Sequence, residues 1–538
     1  MTPDADWRRK QQGRLCEALK NPACFGGETK RVTALETHIS CVFLTGRFAY
    51  KVKKAVDFGF LDFTTLAARR FYCEEELRLN RRLAPELYLD VVPITGTAES
   101  PRIGGEGPAL EYAVKMREFA QSALASRLLE RGELGPRDID ALAASVARFH
   151  GAIEVAAAGA GFGTPESIRR IAIDNCAALL ELADGEDERS EIEALARWTR
   201  HEASRLAGAW SRRLEGGFVR ECHGDLHLGN IARIDGGLTI FDCIEFNPGF
   251  RWIDVMSEAA FVVMDLGYRR RADLARRFLN AYLEITGDYA GLEVLSFYLA
   301  YRALVRAKVA RLRAAQLAAG RARRVAVEEA RAHERLASAY VATPHPAIVI
   351  THGLSGSGKT TLSQGLVETL GALRVRSDVE RKRLHGAGPL DRDRSGIDRG
   401  LYASEASEAT YAKLAAVARA IVTSGFVAVV DAAFLKRAQR DVLRRVARDL
   451  RLPFVIVDFV AGEPALRERV ASRAAAGADA SDADLAVLEH QLRTQEPLAA
   501  DEMGEVVRYD ASGALERSRS ADAWPGVRER IEAALQPV

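Results

Sequence analysis

The sequence predicts a multidomain chain that is mixed α+β over roughly its first two thirds and α/β over the rest. Two patterns lead to this prediction. Up to about residue 340, a cluster of short strand-like runs precedes long helical stretches. After residue 346, apolar runs alternate with helical stretches, as in a mostly parallel sheet covered by helices. A chain of 538 residues is also too long for a single hydrophobic core.

Two prolines mark the main boundary. Pro344 and Pro346 end the preceding helical pattern, because proline cannot continue a helix. The segments expected from these patterns are a helical lead-in (1–30), a mostly β lobe (31–118), a helical lobe (119–340), a linker (341–346) and an α/β domain (347–538). The strands predicted in the last domain lie at 347–351, 426–431 and 453–459, with weaker ones at 373–376 and 505–509.

Composition narrows the class of protein. Apolar residues make up 48% and charged residues 28% of the chain, as in an ordinary soluble globular protein. The net charge of +2 argues against a strongly basic nucleic-acid binder. There is no run of about 18 uncharged apolar residues, so no membrane span is expected. The seven cysteines are odd in number and form no Cys-x-x-Cys, which predicts reduced thiols and a cytoplasmic location.

The first chemically informative stretch is the loop His223–Asn230, followed by an apolar strand that ends at Asp242. The loop is too polar and glycine-rich for a helix, and the strand would run back beside it. Asp225, Asn230 and Asp242 would then lie together. Phosphoryl transfer needs such a set: one carboxylate accepts a hydroxyl proton, and an amide and a second carboxylate hold Mg²⁺ against ATP.

A candidate phosphate-binding lysine lies in a hairpin predicted at 41–53. Lys51 and Lys53 would point to the same face of its second strand, because side chains alternate along a strand. Two interpretations stay open. The lysines are solvated on an exposed face, or Lys51 reaches the phosphates of ATP.

A helix predicted at about 64–84 supplies a candidate partner for this lysine. Glu76 lies on its inward face with Leu79 and could orient Lys51. Glu75 is the competing candidate. The alternative to both is a solvated acidic cluster that pairs with nearby arginines at helical spacing.

A second phosphate-handling motif begins at Gly353 and satisfies Gly-x4-Gly-Lys-Thr, with a strand before it and a helix after it. The glycines allow backbone N–H groups to curl around phosphate, and the helix N-terminus adds positive potential. Lys359 should reach the β- and γ-phosphates, and Thr360 should bind Mg²⁺. The predicted cofactor-binding residues are Gly353, Ser355, Gly356, Ser357, Gly358, Lys359, Thr360 and Thr361.

Residues after this P-loop favour a kinase over a mechanical ATPase. Asp378 follows the weak strand at 373–376, at the edge where parallel sheets bind ligands, and could accept a proton from a substrate hydroxyl. Arg381 lies one helical turn later and could hold the substrate. A role for Asp378 as a helix N-cap fits the sequence equally well.

Three further positions complete the candidate P-loop site. Asp431 ends the strand at 426–431 and is a candidate outer-sphere Mg²⁺ ligand. Arg469 and Arg473 lie on a helix before the Ala/Asp-rich stretch 474–484. That helix is either part of a mobile lid that delivers arginines to the γ-phosphate or an ordinary charged surface helix.

Residues from about 30 to 335 resemble the aminoglycoside-phosphotransferase-like kinases, small-molecule relatives of protein kinases. The resemblance rests on His223–Asn230, on Asp242 and on Trp252-Ile253-Asp254. It implies a bilobal, protein-kinase-like domain with a strand-rich N-lobe and a helical C-lobe. By the same likeness Asp225 is the catalytic base, Asn230 and Asp242 bind Mg²⁺, and Asp254 supports the catalytic loop.

The resemblance also makes Lys51 the ATP-binding lysine and Glu76 its helix partner. The sequence departs from the family in two places. No Gly-x-Gly-x-x-Gly loop precedes Lys51, and Cys-Ile-Glu follows Asp242 where Phe-Gly is usual. Many members of the superfamily lack the glycine loop, so ATP remains the expected phosphate donor.

Residues 346 to about 536 resemble the P-loop kinases that include polynucleotide kinase, zeta-type toxins and small-metabolite kinases. Asp378 and Arg381 are similar to the base and the substrate arginine of the polynucleotide-kinase branch. The combination resembles bacterial fusions of an aminoglycoside-phosphotransferase-like enzyme with a P-loop kinase.

The expected function is therefore a bifunctional kinase that uses ATP and Mg²⁺ and phosphorylates hydroxyls of small molecules at two sites. In one alternative, the C-terminal domain is a nucleotide or polynucleotide-end kinase and the N-terminal domain a regulatory or substrate-binding module. A chain with one catalytic site and an ATP-switched interaction protein are further alternatives. Nucleic acid is a less favoured partner, no membrane partner is expected, and the sequence does not predict an oligomeric state.

Overall fold

The structure is a computed structural model that describes residues 3–59, 61–342, 345–386, 404–476, 484–512, 518 and 520–535. The chain forms two compact units. The first consists of Met1–Ala141, Arg148–Arg170 and Trp210–Asp265, and the second of Leu142–Ala147, Ile171–Ala209 and Leu266–Val538. Within the described segments, no helix combines the length and the apolar character that crossing a bilayer would require.

A six-stranded antiparallel sheet occupies the start of the first unit, in the order β1-β2-β3-β6-β4-β5. Its strands are β1 (Thr33–Glu36), β2 (Ser40–Leu44), β3 (Phe48–Lys53), β4 (Tyr88–Gly96), β5 (Pro101–Ile103) and β6 (Glu111–Arg117). β3 is an interior strand that pairs with β2 on one side and β6 on the other. This position fixes the direction of its two lysines.

Two helices cover the faces of this sheet. Helix α1 (Pro3–Ala18) belongs to a buried cluster with Ala113 of β6, and α2 (Leu66–Asn80) to one with Val114. Successive residues of β6 thus serve opposite faces, as strand alternation requires. Helix α2 begins after Thr65, whose Oγ1 accepts a hydrogen bond from Ala68 N–H at 3.1 Å.

Two short antiparallel pairs frame the loop at 223–230. β7 (Val219–Glu221) pairs with β10 (Trp252–Asp254), and β8 (Ile231–Ile234) pairs with β9 (Gly237–Ile240). The loop therefore connects β7 to β8. The helices of the middle of the chain are α3 (Ala125–Glu130), α4 (Pro136–Ala152), α5 (Pro165–Glu181), α6 (Glu186–Arg205), α7 (Ala207–Glu215), α8 (Pro248–Arg251), α9 (Val255–Tyr268), α10 (Ala272–Thr286), α11 (Leu292–Gln316) and α12 (Arg321–Tyr340).

A five-stranded parallel sheet lies in the second unit, in the order β12-β13-β11-β14-β15. Its strands are β11 (Ile348–His352), β12 (Leu373–Arg376), β13 (Ala428–Asp431), β14 (Phe454–Val460) and β15 (Val506–Asp510). Every residue of β11 and β13 is buried, as expected for interior strands covered on both faces. Because the strands are parallel, their carboxyl ends share one edge of the sheet.

The helices that accompany this sheet are α13 (Lys359–Leu370), α14 (Ser377–Leu384), α15 (Ser404–Thr423), α16 (Arg437–Leu450), α17 (Glu463–Ala476), α18 (Leu485–Thr494) and α19 (Pro525–Leu535). Helix α13 follows the loop that ends β11, and α14 follows β12 directly. Both helix N-termini therefore lie at the carboxyl edge of the sheet.

The predicted fold class is confirmed in both parts of the chain. The five parallel strands lie within two residues of the five predicted ranges. Strand β5 was not expected from the sequence. Thr343 and Pro344, in the expected linker, lie outside the described residues; α12 ends at Tyr340 and β11 begins at Ile348.

Candidate active sites

The ammonium group of Lys51 is part of an ionic cluster in the first unit. Its Nζ lies 2.8 Å from Glu76 Oε1 and 2.5 Å from Asp242 Oδ1. β3 supplies the lysine, α2 supplies Glu76, and Asp242 follows β9. Of the two glutamates considered as partners, Glu76 makes the contact, while Glu75 pairs with Arg78 at 2.8 Å.

Lys53 extends this cluster inward. Its Nζ lies 2.6 Å from Glu76 Oε2 and also contacts Glu245 Oε1. Lys53, Glu76 and Glu245 are 1%, 0% and 4% exposed, so this face of β3 is buried and not solvated. Glu245 was not predicted as a site residue, although it lies within the Cys-Ile-Glu segment that departs from the family pattern.

Burial disfavours the charged forms of Glu76 and Lys51, and oppositely charged neighbours in the cluster stabilise these forms. Burial would raise the pKa of Glu76, but Lys51 and Lys53 hold this pKa at about 2. Burial would lower the pKa of Lys51, but Asp242 and Glu76 raise it well above its ordinary value. Lys51 is therefore an ammonium at neutral pH and can contact a phosphate.

Asp225 and Asn230 face each other across the loop that joins β7 to β8. Asn230 Nδ2 donates hydrogen bonds to Asp225 Oδ2 and to the Asp225 backbone oxygen, both at 3.0 Å. His227 Nε2 lies 3.4 Å from the same carboxylate oxygen. The side chain of Asp225 is 34% exposed, so a hydroxyl compound can reach its carboxylate from solvent.

The backbone of this loop is held by acidic side chains of α9. Glu258 Oε1 accepts hydrogen bonds from His223 N–H at 2.5 Å and from Gly224 N–H at 3.0 Å. Asp265 Oδ2 accepts one from Leu228 N–H at 2.8 Å. Glu258 and Asp265 are buried, and they fix the loop before and after Asp225.

The family resemblance assigns this supporting role to Asp254, and the structure differs. Asp254 Oδ2 accepts a hydrogen bond from Arg213 Nε at 2.6 Å, and its Oδ1 accepts one from Met256 N–H at 2.9 Å. Asp254 thus stabilises the start of α9, and Glu258 one turn later contacts the loop. Asp254 and Glu258 are so close in sequence that only the folded structure distinguishes their roles.

Asp242 is held beside the loop in a left-handed backbone conformation, with a φ of 66°. Its N–H donates to the Tyr88 hydroxyl at 3.1 Å. The chain before and after Asp242 is hydrogen-bonded to His223. His223 Nε2 donates to Phe241 O at 2.8 Å, and Ile244 N–H donates to His223 O at 3.0 Å. The Asp242 side chain stays 42% exposed.

The first unit thus brings together a charged lysine that could contact phosphate, an accessible carboxylate that could act as a base, and oxygen atoms that could bind a cation. Asp242 and Asn230 offer carboxylate and amide oxygens, which are the ligands that Mg²⁺ prefers. This chemistry fits a divalent cation at these two residues.

The glycines of the P-loop in the second unit are required by close packing. Gly353, Gly356 and Gly358 have φ angles of 143°, 85° and 82°. A Cβ at Gly356 would lie 2.6 Å from Leu466 O, and one at Gly353 would lie 2.8 Å from Phe459 O. Side chains at these two positions would displace the loop from the rest of the domain.

Two polar groups of the P-loop make hydrogen bonds within the chain. Lys359 Nζ donates hydrogen bonds to Gly353 O at 2.7 Å and to Leu354 O at 2.8 Å. Ser355 N–H donates to Gln491 Oε1 of α18 at 2.8 Å. Gln491 was not predicted as a site residue, since no local pattern connects a P-loop to a residue 136 positions later.

The remaining predicted P-loop residues lie at the start of α13 or just before it. Ser357 is buried, and Thr361 is exposed in the first helical turn. The backbone oxygen of Thr360 accepts a hydrogen bond from Arg374 Nη1 at 2.6 Å. Arg374 on β12 was also missed, because an arginine within a strand pattern gives no sign of its long-range partner.

Asp431 ends β13 close to Arg374. It is 4% exposed, and among the described residues its Oδ2 has no hydrogen-bond partner. A buried carboxylate oxygen without a donor fits the ligand of a cation. Burial lowers the pKa of Arg374 and the charge of Asp431 opposes this shift, so the two groups interact electrostatically.

Asp378 and Arg381 lie one turn apart on α14 and contact each other. Arg381 Nη2 donates a hydrogen bond to Asp378 Oδ1 at 2.6 Å. Asp378 lies in the first turn of the helix, at the carboxyl edge of the parallel sheet. This geometry places a carboxylate and a guanidinium together on the side of the sheet where α13 begins.

Of the predicted lid arginines, Arg469 lies near the P-loop. Its Nη2 donates a hydrogen bond to Ala511 O at 3.0 Å, and its Nη1 lies 3.8 Å from the position of a Cβ on Gly358. Arg473 lies on the same helix, α17, but its side chain is outside the described residues. Most of the predicted lid stretch at 474–484 is outside them as well.

Two family models match the chain. A model described as the phosphotransferase enzyme family matches residues 71–298, and a model described as an AAA domain matches residues 348–498. The second match begins at Ile348, the first residue of β11 in the parallel sheet.

Relatives match over most of the chain. Uncharacterized proteins of Mycobacterium tuberculosis (strain H37Rv) and Mycobacterium bovis are each 30% identical over 446 residues, which is 83% of this chain and 87% of theirs.

Solved structures also match parts of the chain. A choline/ethanolamine kinase family protein from Mesorhizobium loti is 14% identical and covers 62% of this chain and 96% of its own, with a TM-score of 0.37. A sugar kinase from Janibacter sp. HTCC2649 is 21% identical and covers 36% of this chain and 99% of its own, with a TM-score of 0.28.

The match to the mycobacterial proteins extends across both domains at 30% identity. The kinase-like domain carries the phosphotransferase family match, and the P-loop domain follows it on the same chain. The chain thus belongs to the family of these mycobacterial proteins and is a phosphotransferase composed of a kinase-like domain and a P-loop kinase domain.

Proposed function

We propose that this protein is a bifunctional ATP-dependent phosphotransferase. Each of its two sites would transfer the γ-phosphate of ATP to a hydroxyl of a small-molecule acceptor. One observation carries the proposal: each compact unit contains a lysine and two carboxylates that could bind phosphate, hold a cation and act as a base. Lys51, Asp242 and Asp225 belong to the first unit, and Lys359, Asp431 and Asp378 to the second.

In the first site, Lys51 binds the phosphates of ATP and Glu76 orients it. Asp242 and Asn230 would hold Mg²⁺, which offsets the negative charge of the phosphates. The acceptor oxygen forms a bond to the γ-phosphorus as the bond between this phosphorus and the β–γ bridging oxygen breaks. Asp225 takes up the hydroxyl proton, and ADP leaves with the bridging oxygen.

In the second site, the P-loop backbone surrounds the phosphates and Lys359 turns from its carbonyl partners to the β- and γ-phosphates. Thr360 and Asp431 would hold Mg²⁺. Asp378 receives the proton of the acceptor hydroxyl, and Arg381 binds the acceptor. Arg469, near Gly358, would contact the γ-phosphate as it is transferred.

Small molecules are favoured as acceptors over nucleic acid because the net charge is only +2. The alternative is a nucleotide or polynucleotide-end kinase in the P-loop domain, with the kinase-like domain acting as a regulatory or substrate-binding module. All seven cysteines carry free thiols, which supports a cytoplasmic setting as part of the proposal.

The test uses γ-labelled ATP, an extracted metabolite pool and an oligonucleotide with a free 5′-hydroxyl. Wild type is compared with Asp225→Asn and Lys359→Ala. We expect Asp225→Asn to remove one set of labelled small molecules and Lys359→Ala a different set, each by about 100-fold or more, a typical effect for a catalytic group.

Two matched surface variants serve as controls. Asp235→Asn removes an exposed carboxylate that pairs with Arg117, and Lys436→Ala removes a lysine 3.5 Å from Glu496. Both should keep all labelled products. If one of the site variants changes no product, that site is not catalytic for the pool. Labelling of the oligonucleotide that depends on Lys359 would support the alternative.

A further inference from the structure

Helix α10 precedes the P-loop domain in sequence, yet its polar side chains and the backbone oxygen of Glu284 contact three parts of that domain within the second unit. These parts are the C-terminal end of α13, the edge strand β12 and the helix α14. The contacts come from Arg276, Arg277, Asn280 and Glu284. Nothing in the proposed chemistry accounts for them.

Asn280 completes the exposed edge of the parallel sheet. β12 is an edge strand, so its outer backbone groups have no neighbouring strand to pair with. Asn280 Nδ2 donates a hydrogen bond to Ala372 O at 3.2 Å, and its Oδ1 accepts one from Arg374 N–H at 2.7 Å. The amide thus replaces one residue of a neighbouring strand, and it is 6% exposed.

At the same interface, the C-terminal ends of α13 and α10 each accept a hydrogen bond from an arginine of another helix. Arg276 Nη1 donates a hydrogen bond to Glu368 O in the last turn of α13 at 2.7 Å. Arg383 Nη2 from α14 donates one to Glu284 O in the last turn of α10 at 2.5 Å. A guanidinium at a helix C-terminus satisfies free carbonyls and complements the helix dipole.

Glycines make room for both arginines. Gly371 ends α13 and Gly287 ends α10, with φ angles of 70° and 72°. A Cβ at Gly371 would lie 3.0 Å from Arg276 Nε, and a Cβ at Gly287 would lie 3.0 Å from Arg383 Nε. The same geometry on both sides of the contact indicates a specific interface.

Glu284 connects this interface to the helix that carries the candidate base. Its Oε1 lies 3.1 Å from Arg376 Nη1, and the two side chains are 24% and 13% exposed. Arg376 directly precedes α14, and Arg383 lies in the last turn of this helix. Glu284 therefore holds both ends of α14, one through its side chain and one through its backbone oxygen.

We propose that Glu284 is a positioning residue for the acceptor side of the P-loop site: a helix outside the P-loop domain fixes the orientation of α14, and with it Asp378 and Arg381. This inference rests on the proposed function of that site. Glu284 touches no reacting group; it acts through Arg376. Among the described residues, Glu284 makes no hydrogen bond or ion pair with the P-loop, so the Kd for ATP should depend little on this residue.

The direct test is hydrogen–deuterium exchange on the full chain with Glu284→Gln. We expect amide exchange in α14 to accelerate about tenfold, with no change in α16. The matched control is Asp273→Asn on the same helix, whose carboxylate pairs with Arg271 at 2.8 Å on the surface. The control should leave exchange in α14 unchanged.

A kinetic measurement separates positioning from general destabilisation. In Glu284→Gln, labelled products that depend on Lys359 should form about tenfold more slowly, while the Kd for ATP stays within about twofold of wild type. Reversal of the ion pair in Glu284→Arg with Arg376→Glu should restore part of the rate and of the exchange protection.

Unchanged exchange in α14 would overturn the inference, whatever the P-loop site catalyses. Loss of ATP affinity equal to the loss of rate would overturn it too, because it would show a general effect on the domain. Accelerated exchange in α14 with no Lys359-dependent product from any acceptor would instead contradict the proposed function and keep the structural role of Glu284.

Discussion

Glu76 shows how a fully buried carboxylate is kept charged at the first site. It is 0% exposed, and its two oxygens contact Lys51 and Lys53. Removal of one partner from such a cluster leaves a buried charge without compensation, which is costly. The cluster therefore contributes to stability as well as to the orientation of Lys51.

The pKa of Glu76 predicts how this contribution depends on pH. The pKa is lowered from its ordinary value of 4.5 to about 2 in the folded protein. A lowered pKa gives stability that is present above the unfolded value and is lost as pH falls towards the folded value. For Glu76 this window is about pH 4.5 to 2, and the full effect is on the order of 3 kcal/mol.

We expect Glu76→Gln to unfold at lower urea concentration than wild type at pH 7, and this difference to shrink as pH falls below about 4.5. Urea unfolding of the kinase-like domain, followed by tryptophan fluorescence at several pH values, measures it. Glu74→Gln is the control, because Glu74 lies on the exposed face of α2 and pairs with Arg70. A difference between wild type and Glu76→Gln that stays constant from pH 7 to pH 3 would contradict the shift.

At the scale of elements, one buried ion pair ties α16 to the segment before β15. Arg440 and Glu502 are both 0% exposed and form a bidentate pair, with Nε–Oε1 at 2.7 Å and Nη2–Oε2 at 2.8 Å. Arg440 Nη1 also donates a hydrogen bond to Phe434 O at 3.1 Å. The guanidinium therefore depends on Glu502 for its charge balance.

Glu502→Ala should destabilise the P-loop domain by about 3–5 kcal/mol, because it leaves Arg440 buried without a counter-charge. The neighbouring pair of Arg437 and Asp501 connects the same two segments on the surface, so Asp501→Ala is a close control and should have little effect. Thermal unfolding of the P-loop domain, measured by calorimetry on both variants, checks this. Equal losses in the two variants would contradict the argument from burial.

The elements of the P-loop domain could be predicted because their signals are local. Apolar runs gave the five parallel strands, and the strand–glycine–lysine pattern gave the P-loop. In the kinase-like domain, strand alternation correctly placed Lys51 and Lys53 on one face, because both contact Glu76. These inferences required only the order of residues within one element.

The parts of the sites that the sequence did not give depend on contacts between distant elements. Glu258, not Asp254, holds the loop before Asp225, although both lie within one turn of the start of α9. Arg374 and Glu284 act across 14 and 92 positions of sequence, and their polar side chains in a strand and a helix carry no local signal of their partners. The periods of helices and strands predict which side chains share a face of the element. They do not predict which residues pack against that face.

For the whole molecule, the contacts of α10 predict that the P-loop domain needs this helix for its full stability. The second compact unit includes α10 to α12 together with the P-loop domain. Without α10, the edge of β12 loses the Asn280 amide, and the C-terminal carbonyls of α13 lose Arg276. An uncovered edge strand is also a site for unwanted pairing between chains.

Two preparations test whether the P-loop domain is stabilised by its non-covalent contacts with α10 or by the covalent linker to it. In the first, residues 345–538 are expressed alone; in the second, a protease site in the linker 341–346 is cut in the folded full chain. We expect the separate domain to unfold at a lower temperature and to exchange amides of β12 and α14 faster than the full chain does. The cut chain should behave as the uncut one, and its two pieces should elute together, because the contacts of Asn280, Arg276 and Glu284 remain. If the separate domain shows the same exchange in β12 and α14 as the full chain, α10 is not needed to order them. The P-loop domain would then fold independently of α10.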